Sequence, residues 1–363
     1  MKTIRNRKNR KYRNTRRRRR TRRTRRRIPK QHGGTKRSSH YKRTKKTGTS
    51  SVSHKWKSLQ CSAGNKELPY TCYSAKTLHK MKKYWNARHP DSPIQTNDTK
   101  KIWEELREKM EPTCNQEMCW MEQHFMKGGV DKELKDFTFA PMVPETWKKN
   151  PEEWLSSIDI LRVMSQYEKE YPCFEFLGPS PIDYDTQKMY GECVWEELCN
   201  FSLQKQLKEG KRKIGVIFNL DPHYKEGSHW VALFIYVPKE EMLRVQGKKG
   251  EKEEKTEKQA GIYYFDSYGD KPEPQIRKFM NTVKKQAEQL RIPISKKENS
   301  RRHQYSESEC GMFSMYFILR MLFADGDPQL ANDADKMFAN VSLTHKIPDK
   351  HMKELRKMYF NWV

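Results

Sequence analysis

Acidic residues are missing from the start of the chain. Residues 1–58 hold 26 of the 74 Lys and Arg and no Asp or Glu, which leaves the rest almost neutral at 48 bases against 46 acids. A segment with Arg16 to Arg20 unbroken, and little apolar beyond Ile4, Ile28, Val52 and Trp56, repels itself and is expected to be disordered. It lacks the recurring apolar face of a transit peptide and the apolar centre of a secretory signal. Long apolar runs are absent as well, and nothing approaches the roughly 20 residues that span a bilayer. A soluble, intracellular protein with no membrane partner is expected. The eight cysteines, at positions 61, 72, 114, 119, 173, 193, 199 and 310, show no regular framework. In a large intracellular chain they are expected to be mostly buried thiols rather than disulfides. Cys114, Cys119 and His124 lack the second pair that a zinc site needs, so neither metal nor cofactor is expected.

What is present falls into three parts. After the tail, Ser74 caps a helix with Leu78, Met81 and Trp85 at helical spacing, stopped by Pro90. Asp98 or Thr99 caps a second, with Ile102, Trp103, Leu106 and Met110 on one face, and the pair implies a helical lobe over 59–140. A connector rich in Pro and Trp opens a catalytic domain over 141–363, whose first helix follows Ser156 or Ser157 and carries Ile158, Leu161 and Met164. Three runs, Gly215–Leu220, Trp230–Val237 and Ile262–Phe265, read as strands of a sheet covered on both faces. Residues 239–259, dominated by Lys and Glu, read as a solvated insertion in a hairpin. Gly311–Phe323 is apolar almost all round and is expected to be a central helix. The pattern after Pro348, with Met352, Leu355 and Tyr359, reads as a packing helix.

The chemistry gathers around one thiol. If the second and third strands pair antiparallel, the start of one lies beside the end of the other, and His229 meets Asp266. A carboxylate on one imidazole nitrogen leaves the other free to act as a base. Cys310 directly precedes the buried helix, where unpaired N–H groups and the macrodipole favour an anion. Gln304, six residues earlier, can offer an amide N–H to an oxyanion. His223 and His303 are rival bases, and Asp270 is a rival carboxylate.

The ordered set His229-Trp230, Asp266-Ser267, Gln304 and Cys310-Gly311 resembles the ubiquitin-like-protein-specific and adenovirus-type cysteine proteases. The step from Gln to Cys and the Trp after His resemble the SUMO-protease branch. Trp154-Leu155 is similar to that family's Trp-Leu-Asn-Asp segment, with Ser156 and Ser157 replacing its last two residues. The resemblance implies an α+β, papain-like core with a central mixed sheet and a buried nucleophile helix. It implies a slot walled by Trp154 and Trp230 that admits a Gly-Gly tail, and protein substrates cut after such sites. The helical lobe is similar to an extension in proteases of large DNA viruses.

Together these features point to a thiol protease that matures capsid or core precursors in a virion or infected cell, with nucleic acid bound through residues 1–58. A deconjugase of SUMO or another ubiquitin-like protein is the enzymatic alternative. A basic, nucleic-acid-condensing structural protein is the non-enzymatic one. Gly33-Gly34 and Gly128-Gly129 are candidate self-processing sites.

Overall fold

The computed structural model describes residues 56–65, 67–239, 259–323 and 334–362. The basic tail before Trp56 and the charged stretch 240–258 lie outside the described residues, as does Gly33-Gly34. Helix α1 (Ala75–Arg88) starts at Ser74, whose hydroxyl accepts the Thr77 N–H, and α2 (Thr99–Met110) starts at Asp98, whose carboxylate accepts the Lys101 N–H. Their apolar stripes pack with Tyr73, Trp120 and Phe125 into a cluster of their own. Trp56 belongs to it, its ring 6.5 Å from Trp103 and 6.0 Å from Trp120, with the Arg107 guanidinium 4.7 Å away.

The cysteine expectation is overturned. Cys61–Cys72, Cys114–Cys119 and Cys193–Cys199 form disulfides, which leaves Cys173 and Cys310 as the free thiols. Each pair is separated by a short loop, and Cα distances of 5.2, 5.7 and 6.3 Å lie within bridging range. Local proximity outweighs the compartment argument.

Helix α3 (Ser157–Glu170) begins with a capping box in which Ser156 and Asp159 satisfy each other's backbone N–H. Of the apolar residues that mark it in the sequence, only Met164 faces the core. Ile160, Val163 and Met164 are buried, whereas Ile158 and Leu161 are 58% and 48% exposed.

Six strands follow: β1 (Phe174–Phe176), β2 (Ser180–Pro181), β3 (Lys213–Asn219), β4 (Trp230–Tyr236), β5 (Ala260–Phe265) and β6 (Ile294–Glu298). Spatial order is β1-β3-β4-β5-β6, with β2 also beside β3. The pairs β3–β4 and β4–β5 are antiparallel and the rest parallel. Every residue of β3, β4 and β5 is buried, because side chains alternate between two covered faces. Val216, Leu233, Ile235 and Ile262 point to α4 (Pro274–Gln289), which meets them with Ile276, Phe279, Met280 and Val283. Ile217, Phe234, Tyr263 and Phe265 point to α5 (Cys310–Leu322). Each fully buried side chain of this kind contributes about 1.5–3 kcal/mol. A Cβ on Gly215 of β3 would sit 2.9 Å from Ile318 of α5, so glycine lets that helix lie close on the sheet. Helix α6 (Asp349–Tyr359) buries Met352, Leu355 and Arg356.

Candidate active site

The register of the central hairpin sets the site. Ala232 pairs with Phe265, so His229 just before β4 and Asp266 just after β5 emerge side by side. His229 Nε2 lies 2.8 Å from Asp266 Oδ1. That carboxylate oxygen also accepts the Tyr268 N–H at 2.8 Å. Asn299 fixes the backbone from both sides, accepting the Asp266 N–H at 2.8 Å and donating to its carbonyl at 2.7 Å. Asp266 is buried, and so the imidazole meets a carboxylate that is already oriented.

With Nε2 engaged, Nδ1 is the nitrogen left for Cys310, the first residue of α5 and itself buried. Burial pulls the His229 pKa down, but hydrogen bonds to Asp266 and Cys310 and the charges of both outweigh it and push the pKa up to about 9. The imidazole is also stacked on Tyr268, with centroids 4.6 Å apart and planes 12° apart. Arg302 lies 5.0 Å from the Tyr268 ring.

Gln304 is fully buried. Its Oε1 accepts the Ser267 hydroxyl at 2.7 Å. Its Nε2 donates to the Ser306 carbonyl at 2.8 Å, an acceptor only, which assigns the amide orientation, and reaches the Tyr268 hydroxyl at 3.4 Å. The carbonyl of Ser267 accepts the N–H groups of both His303 and Gln304. Residues 266–268 therefore hold His229 and Gln304 at once.

Trp154 and Trp230 both border a groove of about 610 Å³, together with the exposed Ile158 and Leu161 and with Trp195. Trp230 is buried, its indole N–H donating to the Leu155 carbonyl at 3.1 Å, while Trp154 is 43% exposed. Neither Cys310 nor His229 is among the residues that line it. Leu155 packs against the residue after the thiol, since a Cβ on Gly311 would fall 2.9 Å from its Cδ1.

The rival groups have partners of their own. His223 lines the groove, with Nδ1 paired to Asp183 at 2.7 Å. His303 is buried, its Nδ1 accepting the Ile347 N–H and its Nε2 donating to the Ser342 carbonyl. Burial lowers its pKa, so this histidine is neutral and structural. Asp270 is exposed, and Cys114 and Cys119 are bonded to each other. Gly128-Gly129 sits in a turn in which Gly128 is exposed and Gly129 is buried against Tyr84.

A mixed sheet with a buried helix that begins at a thiol is the architecture of the papain-like cysteine proteases, the α+β class expected from the sequence. Comparison narrows the class. Residues 202–361 match the C-terminal catalytic domain of the Ulp1 protease family. A chain of Acanthamoeba polyphaga mimivirus designated a thiol protease is 30% identical over 296 residues, 80% of this chain and 84% of its own. A cysteine protease of African swine fever virus is 25% identical over 292 residues, 74% of this chain and 91% of that one. Its counterpart from another isolate bears the name SUMO-1 cysteine protease. The crystal structure of the African swine fever virus protease shares the fold with a TM-score of 0.56 at 19% identity, covering 84% of this chain and 96% of that one. The chain belongs to the Ulp1 protease family, as a thiol protease of its large-DNA-virus branch.

The sequence reading missed Ser267 as the group that orients Gln304, and Tyr268 as the ring that covers His229. Both directly follow Asp266, so the run Asp266-Ser267-Tyr268 was an available signal. Asn299 had none, because only the β5–β6 pairing brings it to Asp266.

Proposed function

We propose that Cys310, His229 and Asp266, with Gln304 as oxyanion donor, hydrolyse amide bonds after Gly-Gly or similarly small pairs. The observation that carries this is His229 held at 2.8 Å from Asp266 on one nitrogen, with its other nitrogen left for the thiol at the start of α5. The Cys310 thiolate adds to the scissile carbonyl, and the Cys310 and Gln304 N–H groups stabilise the oxyanion. His229 gives its proton to the leaving nitrogen, the C–N bond breaks, and a thioester forms. Water, deprotonated by His229, then cleaves the C–S bond and returns the thiolate. Trp154 and Trp230 wall the approach, which favours residues without a Cβ.

The biological reading is maturation of viral structural precursors in the virion or infected cell, with the basic tail on nucleic acid. Deconjugation of a ubiquitin-like protein is the second reading, favoured by the name of one African swine fever virus relative. Replacement of the Asn-Asp pair by Ser156 and Ser157, with Ser156 occupied in capping α3, weighs against ordinary SUMO recognition. Incubating the purified chain with Gly-Gly peptides, virion precursors and SUMO conjugates separates the two. Cleavage of precursors by wild type and not by Cys310→Ala is expected. Equal cleavage by both forms refutes the assignment.

A further inference from the structure

We propose that the C-terminal helix α6 is a positioning element of the active site: Asp349 sets the loop that carries Gln304, and Arg356 ties the residue before the nucleophile to the Trp154 segment. The proposal rests on the catalytic assignment above. Asp349 and Arg356 stand seven residues apart, two helical turns, and so share a face. Met352 and Leu355 supply the helix's apolar packing, with Arg356 buried beside them.

Asp349 grips the loop from its side. Both carboxylate oxygens accept the Tyr305 N–H at 3.2 Å, and one accepts the Ser306 hydroxyl at 3.1 Å. The carbonyl of Ser306 is the one that accepts the Gln304 amide. A displaced Ser306 therefore reorients the proposed oxyanion donor directly.

Arg356 joins two segments that the catalytic assignment needs at a fixed spacing. Its guanidinium donates to the Glu153 carbonyl at 2.7 Å and the Pro151 carbonyl at 3.3 Å, just ahead of Trp154-Leu155. It lies 3.5 Å from the carboxylate of Glu309, which precedes Cys310, and 4.4 Å from the Trp147 ring. The two charged side chains are 2% and 0% exposed. A buried ion pair gains little over apolar packing once desolvation is counted, so its value here is geometric. Lys353, on the next turn, adds an ion pair to Glu152 of the same segment.

The test uses the full chain, a peptide ending in Gly-Gly-aminomethylcoumarin, and the rate of iodoacetamide alkylation of Cys310 read by peptide mass mapping. Alkylation needs the thiol and imidazole but no oxyanion donor. Asp349→Ala is expected to lower kcat roughly 10- to 100-fold. Its KM and its Cys310 alkylation rate should stay within about twofold of wild type. Arg356→Leu should lower kcat and raise KM together, and adding Glu309→Gln should recover part of the kcat. If Arg356→Leu does not fold, Asp349→Ala alone decides. An unchanged kcat in Asp349→Ala overturns the proposal, as does a fall in kcat, alkylation and melting temperature together. Cleavage that persists in Cys310→Ala overturns the catalytic assignment itself, and the proposal with it.

Discussion

At the scale of the residue, His229 carries the most distinctive property, a pKa raised to about 9 in spite of burial. A histidine raised above its unfolded value adds stability that is fully present below about pH 6.5 and is lost as pH rises through the folded value. In the proposed mechanism the same proton goes to the leaving amine. The alkaline limb of kcat/KM is therefore expected near pH 9, and Asp266→Asn, which removes a raising influence, should move it to lower pH. A limb that stays in place in Asp266→Asn would show that the carboxylate does not set the imidazole. The roles of Cys310 and Gln304 belong to the proposal; the meeting of His229 with Asp266 was legible because the order of the apolar strands places the start of one beside the end of the next. Tyr268 and Asn299 were not, since an aromatic or an amide in a loop has no chemistry until the fold gives it a neighbour.

At the scale of the element, β3, β4, β5 and α5 could be read from their continuous apolar character, and their order fixed the hairpin that joins His229 to Asp266. The short strand β1 and the polar β6, with Lys296, Lys297 and Glu298, carry no such pattern and exist through parallel pairing. Helix α4 went unread although Ile276, Phe279, Met280 and Val283 recur at helical spacing after Pro274. Helix α3 was legible as a helix, but of Ile158, Leu161 and Met164 only Met164 reaches the core, and the other two are turned to the groove. The contact between Leu155 and Gly311 makes the start of α5 sensitive to added volume. Gly311→Ala is expected to cost about 1–3 kcal/mol as overpacking. Both the melting temperature and kcat/KM should fall, because Leu155 must shift and Trp154 with it. Unchanged values for both would mean that the contact yields freely.

At the scale of the whole molecule, the described residues of the helical lobe and of the catalytic core belong to one compact unit. Asn361, near the C-terminus, donates to the carbonyls of Gln60 and Ala140 and so stitches the lobe to the last helix. Because Trp56 packs in the lobe, a truncation that tests the tail should end at Lys55. Removing residues 1–55 is expected to abolish salt-sensitive binding to nucleic acid while leaving peptide cleavage and melting temperature unchanged. Retained binding would transfer that role to the folded body. The central claim is that one thiol of the two free cysteines is the nucleophile. Incubation of the full chain with a Gly-Gly vinyl methyl ester peptide, followed by intact mass and peptide mapping, tests it most directly. A single adduct on Cys310, absent from Cys310→Ala and slowed in His229→Ala, is the predicted result; an adduct on Cys173, or cleavage that continues after Cys310 is fully modified, would contradict it.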